Sequence, residues 1–238
     1  VVPKAAKVED QYPVNMNGLR IKKQHVYLNN IKYPANSRTE RIAVVNDSKE
    51  DMTVSFKNVP SYIVVKATPE KLKAGEKGTI DVTMETKSSN VWGSFSQDFN
   101  VLVNGKGADD KANVISVHGN VVEDFSALTP EEKAQAPVLK VANVVNLGTL
   151  KANTKKNLKF SFNNAGKGSL YVRSISSDSK AIEITAPSKP IKAGKKEDVK
   201  FSIDTKGLVP GKFSYRVTMI TNDPNNSVVT LQLTGEIK

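Results

Sequence analysis

Two histidines, His25 and His118, are the only imidazoles in this chain of 238 residues, and it contains no cysteine. Without Cys there is no thiol nucleophile, no thiolate metal site and no disulfide framework. Each His falls in a strand-like run, His25 in "IKKQHVYLNN" and His118 near the end of "VISVHGN". No Ser and carboxylate are spaced around either one as a nucleophile and its orienting acid would have to be. The chain is therefore expected to be non-catalytic and to need no cofactor. For a metal ion the best stretch is "NGKGADDKAN" (104–113), where Asp109 and Asp110 sit in a Gly-rich turn. Calcium takes roughly six to eight oxygens, and two adjacent carboxylates pointing different ways supply few of them. A solvated hairpin tip is expected there, and no metal.

Two features remain that can bind without reacting. One is Trp92, the single Trp, in "SSNVWGSF", which could stack on a sugar ring if its face were open or fold back over the end of a domain if not. The other is lysine. The formal charge is +11, and it is unevenly placed. Residues 1–124 carry 17 basic side chains against 15 acidic ones, whereas residues 137–238 carry 17 against 7. A field of that sign attracts polyanions in general, polysaccharide, lipid headgroup and nucleic acid alike. Within it, Lys159 and Lys200 alternate outward on two strands expected to share a sheet, with Lys155, Lys156, Lys195 and Lys196 at the adjoining strand ends. These six are the expected cationic stripe, and charge reversal at Lys159 and Lys200 is expected to weaken binding. With one Trp the platform on which a nucleic-acid binder stacks its bases is missing, so sequence-specific nucleic-acid binding is not expected.

The elements that must position these residues can be read from a repeat. "KAGEKGTIDVTMETK" (73–87) returns as "KAGKKEDVKFSIDTK" (192–206) at an offset of 119. The match extends both ways. "ANSRTERIAVVND" (35–47) faces "ANTKKNLKFSFNN" (152–164), "GSF" (93–95) faces "GKF" (211–213), and "VISVHGNV" (114–121) faces "VTLQLTGEI" (229–237). Apolar and polar residues alternate in "LKFSFN", "VKFSID" and "FSYRVTM", which is the period of a strand with one face inward. Turn residues in "NNAGKGS", "KGLVPGK" and "TNDPNNS" separate these runs. Short strands at this spacing predict an all-β chain of two tandem immunoglobulin-like β-sandwiches. The boundaries are read as an N-terminal extension over 1–19, a first sandwich over 20–124, a linker over 125–136 and a second sandwich over 137–238. In the linker Thr129, Pro130 and Glu132 have the form of an N-cap, a first-turn proline and a capping-box acid, so the segment is read as one or two helical turns or else an ordered coil. No apolar run is long enough for a transmembrane span. The start "VVPKAAKVEDQYP" reads as a processed or trimmed end.

The second copy resembles the Domain of Unknown Function 1573 family, bacterial immunoglobulin-like modules related to hydin-type domains. "NLGTLKANTKKNLKFSFNNAGKGSLYV", "KPIKAGKKEDVKFSIDTKG" and "GKFSYRVTMITNDPNNSVVTLQLTGEI" carry the resemblance, and the first copy is a more divergent relative. These motifs mark strand ends and turns. The family commonly has a Cys-Gly-Cys segment after the third strand, where this chain reads "SISSDSKAIEI" (174–184), so any thiol role is absent. The resemblance implies a cell-envelope or secreted location, in the periplasm, at the cell surface or outside the cell. Taken with the lysine stripe and the lack of a reactive constellation, this makes the expected function that of an interaction or structural module whose partner is an envelope protein or an anionic polysaccharide. A periplasmic assembly chaperone, holding a client strand at a sheet edge, is the alternative. The accessory module of a carbohydrate-active enzyme is a third, and it would need Trp92 exposed.

Overall fold

The computed structural model describes residues 7–34, 36–87 and 89–238. Residues 1–6 of the expected extension, and Ala35 and Ser88 of the repeat, lie outside them. The chain divides into two units, Val1–Asp124 and Phe125–Lys238. The first contains β1 (Val14–Met16), β2 (Leu19–Ile21), β3 (His25–Tyr33), β4 (Ser37–Asn46), β5 (Met52–Lys57), β6 (Ile63–Thr68), β7 (Lys71–Leu72), β8 (Lys77–Glu85), β9 (Gly93–Val103) and β10 (Val114–Glu123). The second contains β11 (Leu139–Val141), β12 (Val144–Leu150), β13 (Lys155–Asn164), β14 (Val172–Ser177), β15 (Ile182–Ile184), β16 (Lys196–Asp204), β17 (Gly211–Thr221) and β18 (Val228–Ile237).

Each unit is a two-sheet sandwich. The first pairs a β1-β2-β4-β8-β6 sheet with a β3-β10-β9-β5-β7 sheet, and the second pairs β11-β13-β16-β15 with β12-β18-β17-β14. Apart from the added edges β1 and β7, the two orders are the same. The residue pattern explains the layers. Along β13 and β16 the buried apolar residues are Phe160, Phe162, Val199, Phe201 and Ile203, and Lys159, Ser161, Asp198 and Lys200 alternate with them on the other face. Each unit closes its own core, one around Phe99, Ile42 and Ile80, the other around Phe162, Ile203 and Leu231. Of the two readings of the linker the helix is present, as Pro130–Ala134, with Thr129 Oγ1 accepting from Glu132 N and Glu132 Oε2 accepting from Thr129 N. Leu19, fully buried in β2, stands opposite Asn46 just as Leu139 stands opposite Asn164, so the first sandwich takes in residues before 20.

The structure shifts one part of the repeat by a residue. Setting 35–47 against 152–164 equates Asp47 with Asn164, but the residue that occupies the place of Asn164 is Asn46. Gly75 N donates to Asn46 O, and Gly194 N donates to Asn164 O. The shift matters because strand side chains have period two, and a slip of one exchanges the inner and outer faces. In the observed register buried Ile42 and Val44 take the places of buried Phe160 and Phe162.

Candidate functional site

The lysine stripe is built on the β13–β16 ladder. Lys159 is in register with Lys200, Lys155 with Asp204, and Lys196 with Asn163. Because the two strands run antiparallel, Lys155 and Lys196 stand at opposite ends of the ladder and not at adjoining ones, which corrects the expected arrangement. Lys156 is in register with buried Ile203, so alternation turns it to the other side from Lys155 and Lys159. The stripe is also not uniformly cationic. Lys155 Nζ lies 2.6 Å from Glu183 Oε2, and Lys159 Nζ lies 2.7 Å from Asp198 Oδ2, which also takes a 2.5 Å hydrogen bond from Ser161 Oγ on its other oxygen. These bonds raise both ammonium pKa values above the ordinary lysine value and hold the Glu183 and Asp198 carboxyls below the ordinary carboxylate range. Among the described residues no ion pair forms at Lys156, Lys195, Lys196 or Lys200.

At the other end of the ladder the cations gather around one buried side chain. Asn164 is fully buried and its amide donates to Gly168 O and Ile191 O, at 2.7 and 2.9 Å. Its Oδ1 accepts from Val138 N and Gly166 N. Its backbone bonds Gly194 and Lys195. One asparagine thus draws together the start of β11, the turn after β13 and the turn before β16, and each of these carries exposed lysine: Lys140, Lys167, Lys192, Lys195 and Lys196. Lys140 and Lys196 flank Asn163 in a row across three strands. Among the described residues none of the five forms an ion pair. Lys140, Lys167 and Lys192 escape a sequence reading because only the hub at Asn164 brings their segments to one place. The corresponding hub of the first unit, Asn46, is ringed instead by Asp47, Glu50, Asp51 and Glu76 together with lysines.

Trp92 is half-buried against the first core, its ring 4.8 Å from that of Tyr33 and tilted by 57°. Its ring packs on Tyr33 and on the fringe of the first core, as a residue folded back on its own domain does. In the 104–113 stretch Asp110 Oδ1 accepts from Ala112 N and caps a short 3-10 turn, and among the described residues no three His, Asp or Glu side chains converge on a point. No described helix is long and apolar enough to cross a membrane.

The histidines give the largest departure. They are 93 residues apart, yet β3 and β10 pair in parallel, with His25 opposite Ser116 and Tyr27 opposite His118. His25 Nδ1 lies 3.1 Å from His118 Nε2, and the Tyr27 ring stacks 4.9 Å from that of His118. Neither His is isolated.

With the geometry described, the chain can be compared with known proteins. Residues 140–237 match the family "Protein of unknown function (DUF1573)". The DUF1573 match falls wholly within the second unit. No curated protein matches the chain. The crystal structure of a protein of unknown function from Porphyromonas gingivalis W83 is similar at a TM-score of 0.56 and 18% identity, covering 92% of this chain and 99% of that one. The likeness extends the shared fold over both units. The E. coli chaperone DraB matches 92% of this chain and 97% of its own at 14% identity and a TM-score of 0.32. A PapD-like domain of human CEP192 matches 48% of this chain and 92% of its own at 10% identity and a TM-score of 0.35. Both units have the expected immunoglobulin-like sandwich fold.

The second unit also serves as an internal control for the first. In both, a phenylalanine lies across a glycine on the neighbouring strand, Phe95 on Gly119 and Phe213 on Gly235. In both, the parallel strand carries a bulge at a positive-φ residue, Asn29 or Gly148. Counting from those glycines, the places of His25, Tyr27 and His118 are taken in the second unit by Val144, Asn146 and Thr234.

Proposed function

We propose that this chain is a non-catalytic binding protein that acts outside the cytoplasm and docks an anionic polysaccharide through the Asn164 end of its second sandwich. The observation that carries the reading is the set Lys140, Lys167, Lys192, Lys195 and Lys196, held together by a buried asparagine and forming no ion pair among the described residues. Exposed ammonium groups gain little from isolated surface carboxylates, but several on one rigid surface sum their fields on a polymer of repeating negative charge. Lys200 continues the surface, whereas Lys155 and Lys159 are engaged by Glu183 and Asp198. The arrangement needs no reacting group, only a fixed spacing of charge.

The test is titration of the full chain with polygalacturonate at low and at physiological salt. Binding should weaken as salt rises, because screening lengths shrink to about 8 Å near 0.15 M. Lys195→Glu with Lys196→Glu should abolish most of it, and Lys155→Gln with Lys159→Gln should change it much less. Equal losses from the two pairs would show that net charge alone is being read.

A further inference from the structure

The chain has two histidines in all, and they meet. Their ring centroids are 5.4 Å apart and their planes differ by 23°, so with nitrogens 3.1 Å apart the rings meet edge to edge. In such a contact one ring donates its N–H to the bare nitrogen of the other, and which ring donates follows from the tautomer. Both rings stand on the outer face of the β3–β10 pair, His25 exposed and His118 half-buried beside Tyr27, a residue 58% exposed. The second unit folds the same strand pair with Val144 and Thr234 at these places, so the fold itself does not call for imidazole there. Gln24, next to His25, ties the start of β3 to Ala112 O and Val114 O, at 3.0 and 3.2 Å, and fixes its register against β10.

We propose that His25 Nδ1 and His118 Nε2 form a surface site for one first-row transition-metal ion of the zinc, nickel or copper type, with water completing its coordination. Imidazole is the ligand these ions favour. At a metal–nitrogen distance of about 2.0–2.1 Å, two nitrogens sharing an ion are about 2.9 Å apart at a right angle and about 3.4 Å apart at a tetrahedral one. The observed 3.1 Å falls between them. The ion enters from the solvent side as both rings turn about their side-chain bonds, which takes the two lone pairs off the line joining the nitrogens and brings them onto a common point. The shared hydrogen bond is exchanged for two metal–nitrogen bonds. Each neutral ring keeps one N–H, on His25 Nε2 and His118 Nδ1, so the donor ring changes tautomer and no net proton is lost. With no carboxylate converging among the described residues, calcium and magnesium, which want several oxygens, are excluded.

The test uses the full chain without an affinity tag, titrated calorimetrically at neutral pH with Zn2+, Cu2+ and Ca2+. One equivalent of Zn2+ and of Cu2+ should bind, Cu2+ more tightly, and Ca2+ should not bind at this site. His25→Ala and His118→Ala should each weaken Zn2+ by roughly tenfold or more, because the chelating partner is lost. As a readout that needs no variant, the ring nitrogen resonances of both histidines should shift together and saturate at one equivalent. Resonances of only one ring responding, affinity surviving either substitution, or Ca2+ displacing Zn2+ would each overturn the proposal.

Discussion

Lys159 stands directly opposite Lys200 across the β13–β16 ladder, and the repulsion of that like-charge pair is relieved by Asp198, whose carboxylate accepts from both Lys159 Nζ and Ser161 Oγ. Like charges directly opposed on a sheet are destabilising, so the acid two residues along the same strand has a structural reason to be there. Its pKa is held low by Lys159 first and Ser161 second, and that of Glu183 by Lys155 first. A carboxyl whose folded pKa is depressed contributes stability that is fully present above its unfolded pKa, around pH 4, and that is lost as pH falls through the folded value. Wild-type melting temperature should therefore fall on acidification below that range, and less steeply in Asp198→Asn with Glu183→Gln. The difference should be small and should shrink with salt, since both pairs are exposed. Melting curves recorded from neutral to acid pH check this, and identical profiles would remove the argument.

The buried asparagines are expected to be the costliest single polar truncations in their units. Asn164→Ala strips four hydrogen bonds from backbone groups in a site with no exposure, and Asn46→Ala strips donations to Glu50 O and Leu72 O together with the bond from Ser48 N. With about 1–3 kcal/mol for each buried group left unpaired, each substitution should cost roughly 2–4 kcal/mol after partial hydration. Amide hydrogen exchange separates the units: Asn46→Ala should deprotect β4, and Asn164→Ala should deprotect β13. Asn164→Ala should also weaken polygalacturonate binding, because the segments carrying Lys140, Lys167 and Lys195 lose their common anchor.

What the sequence made legible follows from the range of each interaction. The strands of the sandwiches announce themselves locally, as in "LKFSFN", because inward and outward faces alternate residue by residue. The helix at Pro130–Ala134 is local too, its cap and acid three residues apart. Register is not local. Whether Asn46 or Asp47 corresponds to Asn164 depends on a hydrogen bond to a glycine about thirty residues on, and the two apolar runs "IAVV" and "LKFSF" can be aligned either way. The contact of His25 with His118 was hidden for the same reason, since it depends on the first and last strands of one sheet lying parallel. The lysines were visible as charge, but the acids that engage two of them come from β15 and from the opposing register of β16.

The paired Phe–Gly notches predict an asymmetry between otherwise matching substitutions. A Cβ on Gly119 would meet the Phe95 ring at 2.6 Å, and one on Gly235 would meet the Phe213 ring at 2.7 Å. At Gly235 it would also meet the backbone oxygen of Gly148 at 2.7 Å, and no side-chain rotation relieves that contact. Gly119→Ala should therefore cost about 1 kcal/mol and Gly235→Ala about 2–3 kcal/mol, the range for overfilling a packed site. Adding Phe95→Leu should recover much of the first loss, whereas Phe213→Leu should recover little of the second. Urea unfolding of the four variants measures both, and equal rescue would show that the backbone contact is relieved at no cost.

Trp92 offers the last test, because it is the only Trp and its ring packs on Tyr33 at the end of the first sandwich. An indole half-buried in that way should emit to the blue of one in water, and the band should move red as the first unit unfolds. If Trp92 instead presented an open face to sugars, adding oligosaccharide would quench or shift its emission. The geometry predicts no change on adding polygalacturonate at concentrations that saturate the second unit. Trp92→Ala should remove about 1–3 kcal/mol from the first unit, the range for losing a partly buried aromatic side chain, and leave polysaccharide affinity as it was. A Trp92→Ala chain that stays as stable as wild type but no longer retains polysaccharide would move the binding surface from the Asn164 end to the first sandwich.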